Sequence, residues 1–379
     1  MKYLFQLGFA PSLAAQELSA YFSRLGVKYQ KKALGPQLFL ITTKIPIDPV
    51  AAINTLGGTV RIAPFLASAE NSDYLLAKIS KHAQSLHQSG QFNFALAAPG
   101  SQEKSLLLAR SLKQALHEKH INARFLISDG FINPIKISTQ KAHEYIVIPK
   151  TNQLAVFYTQ AVSDFASWQS RDRGRPHVDP QSGMLPPKMA RILLNLALTK
   201  PFDQHTVILD PFCGSGTILA EALILGLSCV GADQSPKALA NSQANLDWLK
   251  THFSFPGNFS LVQADATTLT APALPGPVNA IVFEGHLGPP HFSSVNLPAI
   301  IAGLDALYRQ ALPRLGGLQQ SGDKLVMALP KYDHQGSVKM LTDLIDTCEN
   351  SGYTLTAGPL YYSKPGSKVR RAIYTLTKN

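Results

Sequence analysis

The sequence predicts two fold classes in tandem. An α+β unit of ferredoxin type comes first, and an α/β unit with a mostly parallel, doubly wound sheet follows, closed by an antiparallel hairpin. Three observations carry this. Beyond Pro201, short apolar runs alternate with helical patterns, the signature of successive βα units. A glycine loop, Asp210-Pro211-Phe212-Cys213-Gly214-Ser215-Gly216-Thr217, stands where the first of those runs gives way to a helix. The last two apolar runs, Tyr353 to Tyr361 and Ala372 to Leu376, are separated only by the turn Lys364-Pro365-Gly366-Ser367, so they pair as a hairpin.

The elements follow in order. Tyr3 to Leu7 alternates like a strand, and Ser12 is placed to cap a helix over Leu13 to Leu25. Gln37 to Thr42 is a strand, Pro49 to Leu56 a helix stopped by Gly57-Gly58, and Val60 to Ala63 a strand. Asp73 to Gln88 and Glu103 to Lys119 are amphipathic helices; Phe92 to Ala97, Ala123 to Ile127 and Glu144 to Pro149 are strands. Ser163 to Pro187 holds Trp168, several Pro and Gly residues and little periodicity, and reads as a linker. Pro186-Pro187 opens a helix to about Leu198, since a proline N–H is not missed in a first turn. Strands are then expected at Thr206 to Leu209, Cys229 to Ala232, Leu261 to Gln263, Ala280 to Phe283 and Lys324 to Ala328. Helices are expected at Thr217 to Leu225 and Pro236 to Lys250. The domains implied are 1–68, 69–160, a linker at 161–185, and 186–379.

Composition narrows the function. Length, 379 residues, implies two or three domains, and 45% hydrophobic against 16% charged residues excludes global disorder. Lys plus Arg total 35 against 24 Asp plus Glu, a net charge of +11 that favours a polyanionic partner, though an ordinary basic protein shares it. Cys213, Cys229 and Cys348 are scattered, with neither disulfide nor zinc spacing, which fits a reduced cytoplasmic setting and no metal. No signal-peptide pattern or membrane-length apolar run is present, so no membrane partner is expected.

The Asp210–Thr217 loop carries the sharpest chemistry. Glycines let backbone approach a ligand, and the following helix N-terminus favours polar or anionic groups. A dinucleotide fingerprint needs a small residue where Leu219 stands, and no Gly-Lys-Ser/Thr of a phosphate loop follows. Asp210 suits a ligand bearing a cationic ammonium, such as the methionine part of S-adenosylmethionine (SAM). Asp233, at the end of the second strand of this half, is placed to accept ribose hydroxyls. Asp265, after the third, is placed to accept the adenine amino group. Phe212, Gly214, Gly216 and Thr217 in the loop, Gln234 beside Asp233, and Ala266 beside Asp265 complete the expected cofactor set.

This loop resembles that of the SAM-dependent methyltransferases that carry an RNA-binding THUMP domain, most nearly the tRNA guanosine-N2 methyltransferases that modify position ten. The run from Arg171-Asp172 through Arg175-Pro176 to Gly183-Met184-Leu185-Pro186-Pro187-Lys188-Met189-Ala190 resembles the segment before that family's catalytic domain. Gly57-Gly58-Thr59 and the pattern up to Pro149 resemble its ferredoxin-like plus THUMP module more loosely. The likeness is strongest between Arg171 and Asp265. It implies a Rossmann-like class I methyltransferase domain, SAM as cofactor, and RNA, above all tRNA, captured by the N-terminal half. An accessory subunit is left open.

One motif departs from the family. Its Asp/Asn-Pro-Pro-aromatic motif follows the fourth strand of the catalytic domain, where this chain has Glu284-Gly285-His286-Leu287-Gly288-Pro289-Pro290-His291-Phe292. Two registers stay open: Glu284 in the acid's place without the prolines, or Gly288-Pro289-Pro290-His291 with the prolines and no acid. The first is favoured, because a strand end is harder to move than a loop. Glu284 then accepts a hydrogen bond from the target amine, and His286, His291 or Phe292 supplies a ring for a flipped base. Arg171, Arg173 and Arg175 are expected to face RNA or an interdomain seam; Lys364, Lys368, Arg370 and Arg371, flanking the final hairpin, are expected to reach phosphates or to lie on a solvated turn. Rival readings are a methyltransferase on another RNA or on DNA, a non-catalytic RNA-binding protein that keeps a SAM site, and an NAD-dependent oxidoreductase.

Overall fold

The computed structural model describes residues 1–128, 130–178, 184–289, 291–364 and 366–379. Gly183, Pro290 and Pro365, which belong to motifs named above, lie outside the described residues. The chain divides into two compact units. The first takes residues 1–11, 27–55 and 59–166, and the second takes 12–26, 56–58 and 167–379.

The first unit contains strands β1 (Lys2–Leu7), β2 (Tyr29–Gly35), β3 (Leu38–Thr43), β4 (Thr59–Ala69), β5 (Phe92–Ala97), β6 (Ala123–Phe125), β7 (His143–Lys150), β8 (Gln153–Tyr158) and β9 (Ala161–Val162). Among the described residues they form one sheet, ordered β2-β3-β1-β4-β8-β7-β5-β6, with β9 paired to β4. The long strand β4 joins its halves. Tyr3 to Leu7 pair with the first part of β4, and Leu154 to Phe157 with its last part. The sheet therefore runs through the boundary expected at residues 68 and 69. Helices α3 (Ser72–Leu86) and α4 (Gln102–His117) bury Leu75, Ile79, Leu108 and Leu112 against Phe92, Phe94 and Tyr145. Strand β2 was not foreseen. Its run Tyr29 to Gly35 shows no apolar alternation, and it is an edge strand with Gln30 to Ala33 exposed.

The second unit holds helices α1 (Pro11–Arg24, from Ser12 on), α6 (Phe165–Arg173, from Ser167 on), α7 (Pro187–Ala197), α8 (Thr217–Ile224), α9 (Pro236–His252), α10 (Leu297–Gly316) and α11 (Gln335–Asn350). The short α2 (Pro49–Thr55) and α5 (Pro134–Thr139) belong to the first unit. Strands β10 (Val207–Asp210), β11 (Ser228–Asp233), β12 (Phe259–Gln263), β13 (Ala280–Glu284), β14 (Lys324–Lys331), β15 (Tyr353–Tyr362) and β16 (Arg370–Lys378) form the second sheet, ordered β12-β11-β10-β13-β14-β16-β15. Strands β12 to β14 along that order are parallel; β16 runs antiparallel to both β14 and β15. The expected hairpin is thus present. The order reverses beside β10, whose neighbours are β11 and β13, and a doubly wound sheet opens a crevice at such a switch point. Ile281, Phe283, Met327 and Leu329 pack there with Leu304, Tyr308 and Leu312 of α10 and Leu341 and Leu344 of α11.

Three expectations need correction. Ser12 lies inside α1 rather than capping it. The supposed linker contains α6, hidden from periodicity because an arginine, Arg171, takes a buried place beside Trp168. Arg171 and Arg191 both bond Glu221 of α8, each at 2.6 Å, and both guanidinium groups lie over the Trp168 ring. Arg171 is 5% exposed and Arg175, bonded to the Thr217 hydroxyl at 2.9 Å, is also 5% exposed. Neither faces RNA; they brace the approach to the glycine loop. Arg173 alone of the three is on the surface, beside Asp172. Among the described residues no helix is long and apolar enough to cross a membrane.

Candidate active site

The site grows from the carboxyl ends of β10 to β13. A cavity of about 550 Å³ opens there, a size suited to a nucleoside-sized ligand. Asp210, Gly214, Asp233, Asp265 and Glu284 all line it, so the structure brings together the acids that the sequence placed at four strand ends. Phe212, Thr217, Gln234 and Ala266 line it as well; Gly216 turns the loop from behind.

The loop is shaped by its neighbours. Gly214 and Gly216 have φ of +51° and +81°, a region L side chains avoid, and a Cβ on Gly216 would stand 2.5 Å from the Ser242 hydroxyl. Gly214 N–H donates to Asp233 Oδ2 at 3.0 Å, and Ser235 N–H donates to Asp233 Oδ1 at 2.9 Å. Asp233 therefore ties the loop after β10 to the start of α9. Each carboxylate oxygen retains a second lone pair for a ligand. Asp265 Oδ1 is held by the Thr267 N–H and hydroxyl, each at 2.8 Å.

Asp210 is 2% exposed and accepts the Phe212 N–H at 3.0 Å. Burial pushes its carboxyl well above the usual range; the Phe212 hydrogen bond opposes this, and the charges of Asp233 and Glu284 add to it. A cluster of like charges around a buried acid is a standing invitation to a cation, which suits the ammonium group inferred from the sequence. The same burial raises the thiols of Cys213, within the loop, and of Cys229 on β11.

The fourth strand end holds Glu284 and the loop that follows it. Glu284 accepts a hydrogen bond from Arg371 Nε of β16 in an ion pair whose side chains are 17% and 2% exposed. Burial raises the Glu284 carboxyl, while Arg371, Lys364 and the Leu185 N–H hold it down. Two buried tyrosines fix the loop beyond. The Tyr308 hydroxyl of α10 donates to the His286 carbonyl at 2.7 Å, and the Tyr332 hydroxyl donates to the Leu287 carbonyl. Gly285 and Gly288 make room, since a Cβ at either would lie 2.2 or 2.3 Å from those hydroxyls. His286 lines the cavity and is exposed. His291 is exposed and is not among the cavity's lining residues. Phe292 is half-buried and set edge-on to Tyr332, ring centroids 5.1 Å apart. Sequence reasoning missed Tyr308 and Tyr332, and expected Arg371 at a phosphate where the structure buries it against Glu284. The periodicity of Ile301, Leu304, Tyr308, Leu312 and Leu315 was the available signal for the first of them.

Comparisons with known proteins bear on the domain that holds this cavity. Residues 174–334 match the UPF0020 family, described as an RMKL-like methyltransferase domain. The tRNA (guanine(10)-N2)-dimethyltransferase of Methanothermobacter thermautotrophicus is 34% identical over 165 residues, covering 42% of this chain and 44% of that protein. That of Pyrococcus abyssi is 28% identical over 193 residues, covering 51% of this chain and 49% of that protein. The matched stretch thus spans half or less of these curated relatives' length. Among solved structures, TrmN from Thermus thermophilus aligns over 100% of both chains with a TM-score of 0.54 at 18% identity. Residues 174–334 therefore carry a match to a methyltransferase domain, and the seven-stranded sheet built around them has the fold of one.

Proposed function

We propose that this chain is a SAM-dependent RNA methyltransferase whose acceptor is the exocyclic N2 of a guanosine in tRNA. The observation that carries the reading is the single cavity that gathers Asp210, Asp233, Asp265 and Glu284 around a glycine loop. The residues present fit SAM. Asp210 meets the ammonium, Asp233 the ribose hydroxyls and Asp265 the adenine amino group, with Gly214 leaving the loop backbone open. When bound, SAM supplies an electrophilic methyl group on its sulfonium.

The chain's own residues then orient an acceptor. A purine amine is a weak nucleophile, because its lone pair is delocalised into the ring. Glu284, held by Arg371, accepts one amine N–H and aims the lone pair; Tyr308 and Tyr332 keep the neighbouring loop still. His286, exposed in the cavity, is the ring available to the base. Phe292 supports the loop through Tyr332 instead. The first unit captures RNA as a ferredoxin-like and THUMP module, in a cytoplasmic enzyme. The curated relatives' names and the net charge of +11 support RNA as partner.

The test is transfer of labelled methyl from SAM into tRNA from cells lacking the protein, followed by nucleoside analysis. Label in N2-methylguanosine is the expected result. SAM binding with no label in any tRNA nucleoside would overturn the reading in favour of an RNA-binding protein that retains the cofactor site. Asp233→Ala should weaken SAM at least about tenfold, since it removes charged hydrogen bonds to ribose and frees the Gly214 loop together. Equilibrium dialysis with unchanged affinity would move the cofactor elsewhere.

A further inference from the structure

The final hairpin carries a surface that the catalytic reading does not use. Tyr361 of β15 is 47% exposed. Its ring has Lys331 Nζ at 5.9 Å and Arg370 Cζ at 5.8 Å from the centroid. The sheet register explains the grouping. Lys331 pairs with Arg370 across β14 and β16, and Tyr361 pairs with Ala372, two residues beyond Arg370 and on the same face. Beside them Lys368 Nζ stands 6.0 Å from the Phe292 ring, on the loop that leaves the cavity. Among the described residues no carboxylate forms an ion pair with Lys331, Lys368 or Arg370. Like charges are thus crowded around an exposed ring, and no ion pair among the described residues neutralises them.

This surface adjoins the active site. Arg370 and Arg371 are consecutive on β16, so their side chains leave opposite faces of the strand. Arg370 goes to Tyr361 and Arg371 to Glu284. We propose that Tyr361, Lys331 and Arg370 form a stacking platform for an unpaired nucleotide of the RNA substrate. Its base lies on the Tyr361 ring, and its flanking phosphates meet Lys331, Arg370 and Lys368. The inference rests on the reading of the chain as an RNA methyltransferase and states how the target strand is held. Cations alone would bind any duplex; the exposed ring among them selects a strand whose bases are free to stack.

The experiment measures binding of the full chain to a single-stranded RNA 12-mer and to the matching RNA duplex across a range of KCl, for wild type and variants. Tyr361→Ala should weaken the single strand about tenfold with no change in salt slope, and Tyr361→Phe should retain affinity. Lys331→Gln and Arg370→Gln should each lower the slope of log K against log salt by about 0.7. SAM affinity should be the same in all four, which reports an intact fold. Wild-type affinity in Tyr361→Ala, or equal losses for single strand and duplex, would overturn the platform. Displacement of the RNA by polyglutamate at matched charge would assign the surface to an acidic protein instead. The two readings fail separately. A wild type that binds the single strand through Tyr361 but transfers no methyl ends the catalytic reading. A wild type that transfers methyl while Tyr361→Ala binds normally ends this one.

Discussion

Arg371→Met is expected to lower kcat for methyl transfer about 10²-fold while leaving SAM affinity unchanged. Misplacing a group by about 1 Å costs roughly that factor, and Glu284 loses its anchor when the guanidinium goes. The pH profile separates this from mere loosening. Glu284 faces Arg371, Lys364, Asp210, Tyr308 and Tyr362. Burial raises its carboxyl above the ordinary value, and Arg371 is the foremost group opposing that rise. The ionised form accepts the amine hydrogen bond, so activity falls as pH drops through the carboxyl's value. Removing Arg371 removes a downward influence, so the acid limb should move to higher pH. Glu284→Gln should abolish that limb, because an amide does not titrate, and should also lower kcat. The measurement is kcat against pH for the three proteins. A full kcat and an unmoved limb in Arg371→Met would dispose of Glu284 as the acceptor and return attention to the Gly288-Pro289-Pro290-His291 register.

The largest stability effect should come from Glu221→Ala. One carboxylate on α8 neutralises two guanidinium groups, Arg171 and Arg191, that are 5% and 1% exposed. Breaking a buried pair strands a charge in a medium that solvates it poorly and costs about 3–5 kcal/mol. Here two charges lose their partner at once. For a unit of this size that corresponds to a drop in Tm of roughly 10 °C. Trp168, whose ring lies under both guanidinium groups, should report the change by fluorescence before global unfolding. A shift of less than about 2 °C, within the effect of an ordinary surface substitution, would show that the network contributes little.

How much of this was legible in the sequence depended on whether the signal was local. Asp210 to Thr217 announces a strand, a turn and a helix within eight residues, and the acids at Asp233 and Asp265 repeat the same grammar. The hairpin between Tyr353 and Leu376 was legible because nothing but a turn separates its strands. Glu284 was legible as a strand end. Its pairing with Arg371 was not, because β16 inserts between β14 and β15, and only that order brings the arginine toward β13. Arg171 and Arg175 were misassigned for a related reason. An arginine in a proline-rich stretch reads as solvent-facing, and its burial requires Glu221 and Thr217 from a helix some forty to fifty residues away. Helix α6 was missed with it, since a helix whose buried face is a tryptophan and an arginine shows no apolar stripe.

The second unit is stitched from distant chain. Glu17 of α1 accepts the N–H groups of Gly57 and Gly58 at 2.7 and 2.8 Å and the Asn195 side chain at 2.7 Å, while Arg24 reaches the same asparagine at 3.1 Å. These partners leave the ribosome far apart in time. Gly57 and Gly58 follow residues 12–26 closely, yet Asn195, which completes the set, arrives only once α7 has been made, more than 160 residues later. A protein cut just before α6 would likewise leave Asn195 without its glutamate. The second unit therefore cannot be completed from its contiguous stretch 167–379 alone; its hydrogen bonding draws on a helix well over a hundred residues upstream.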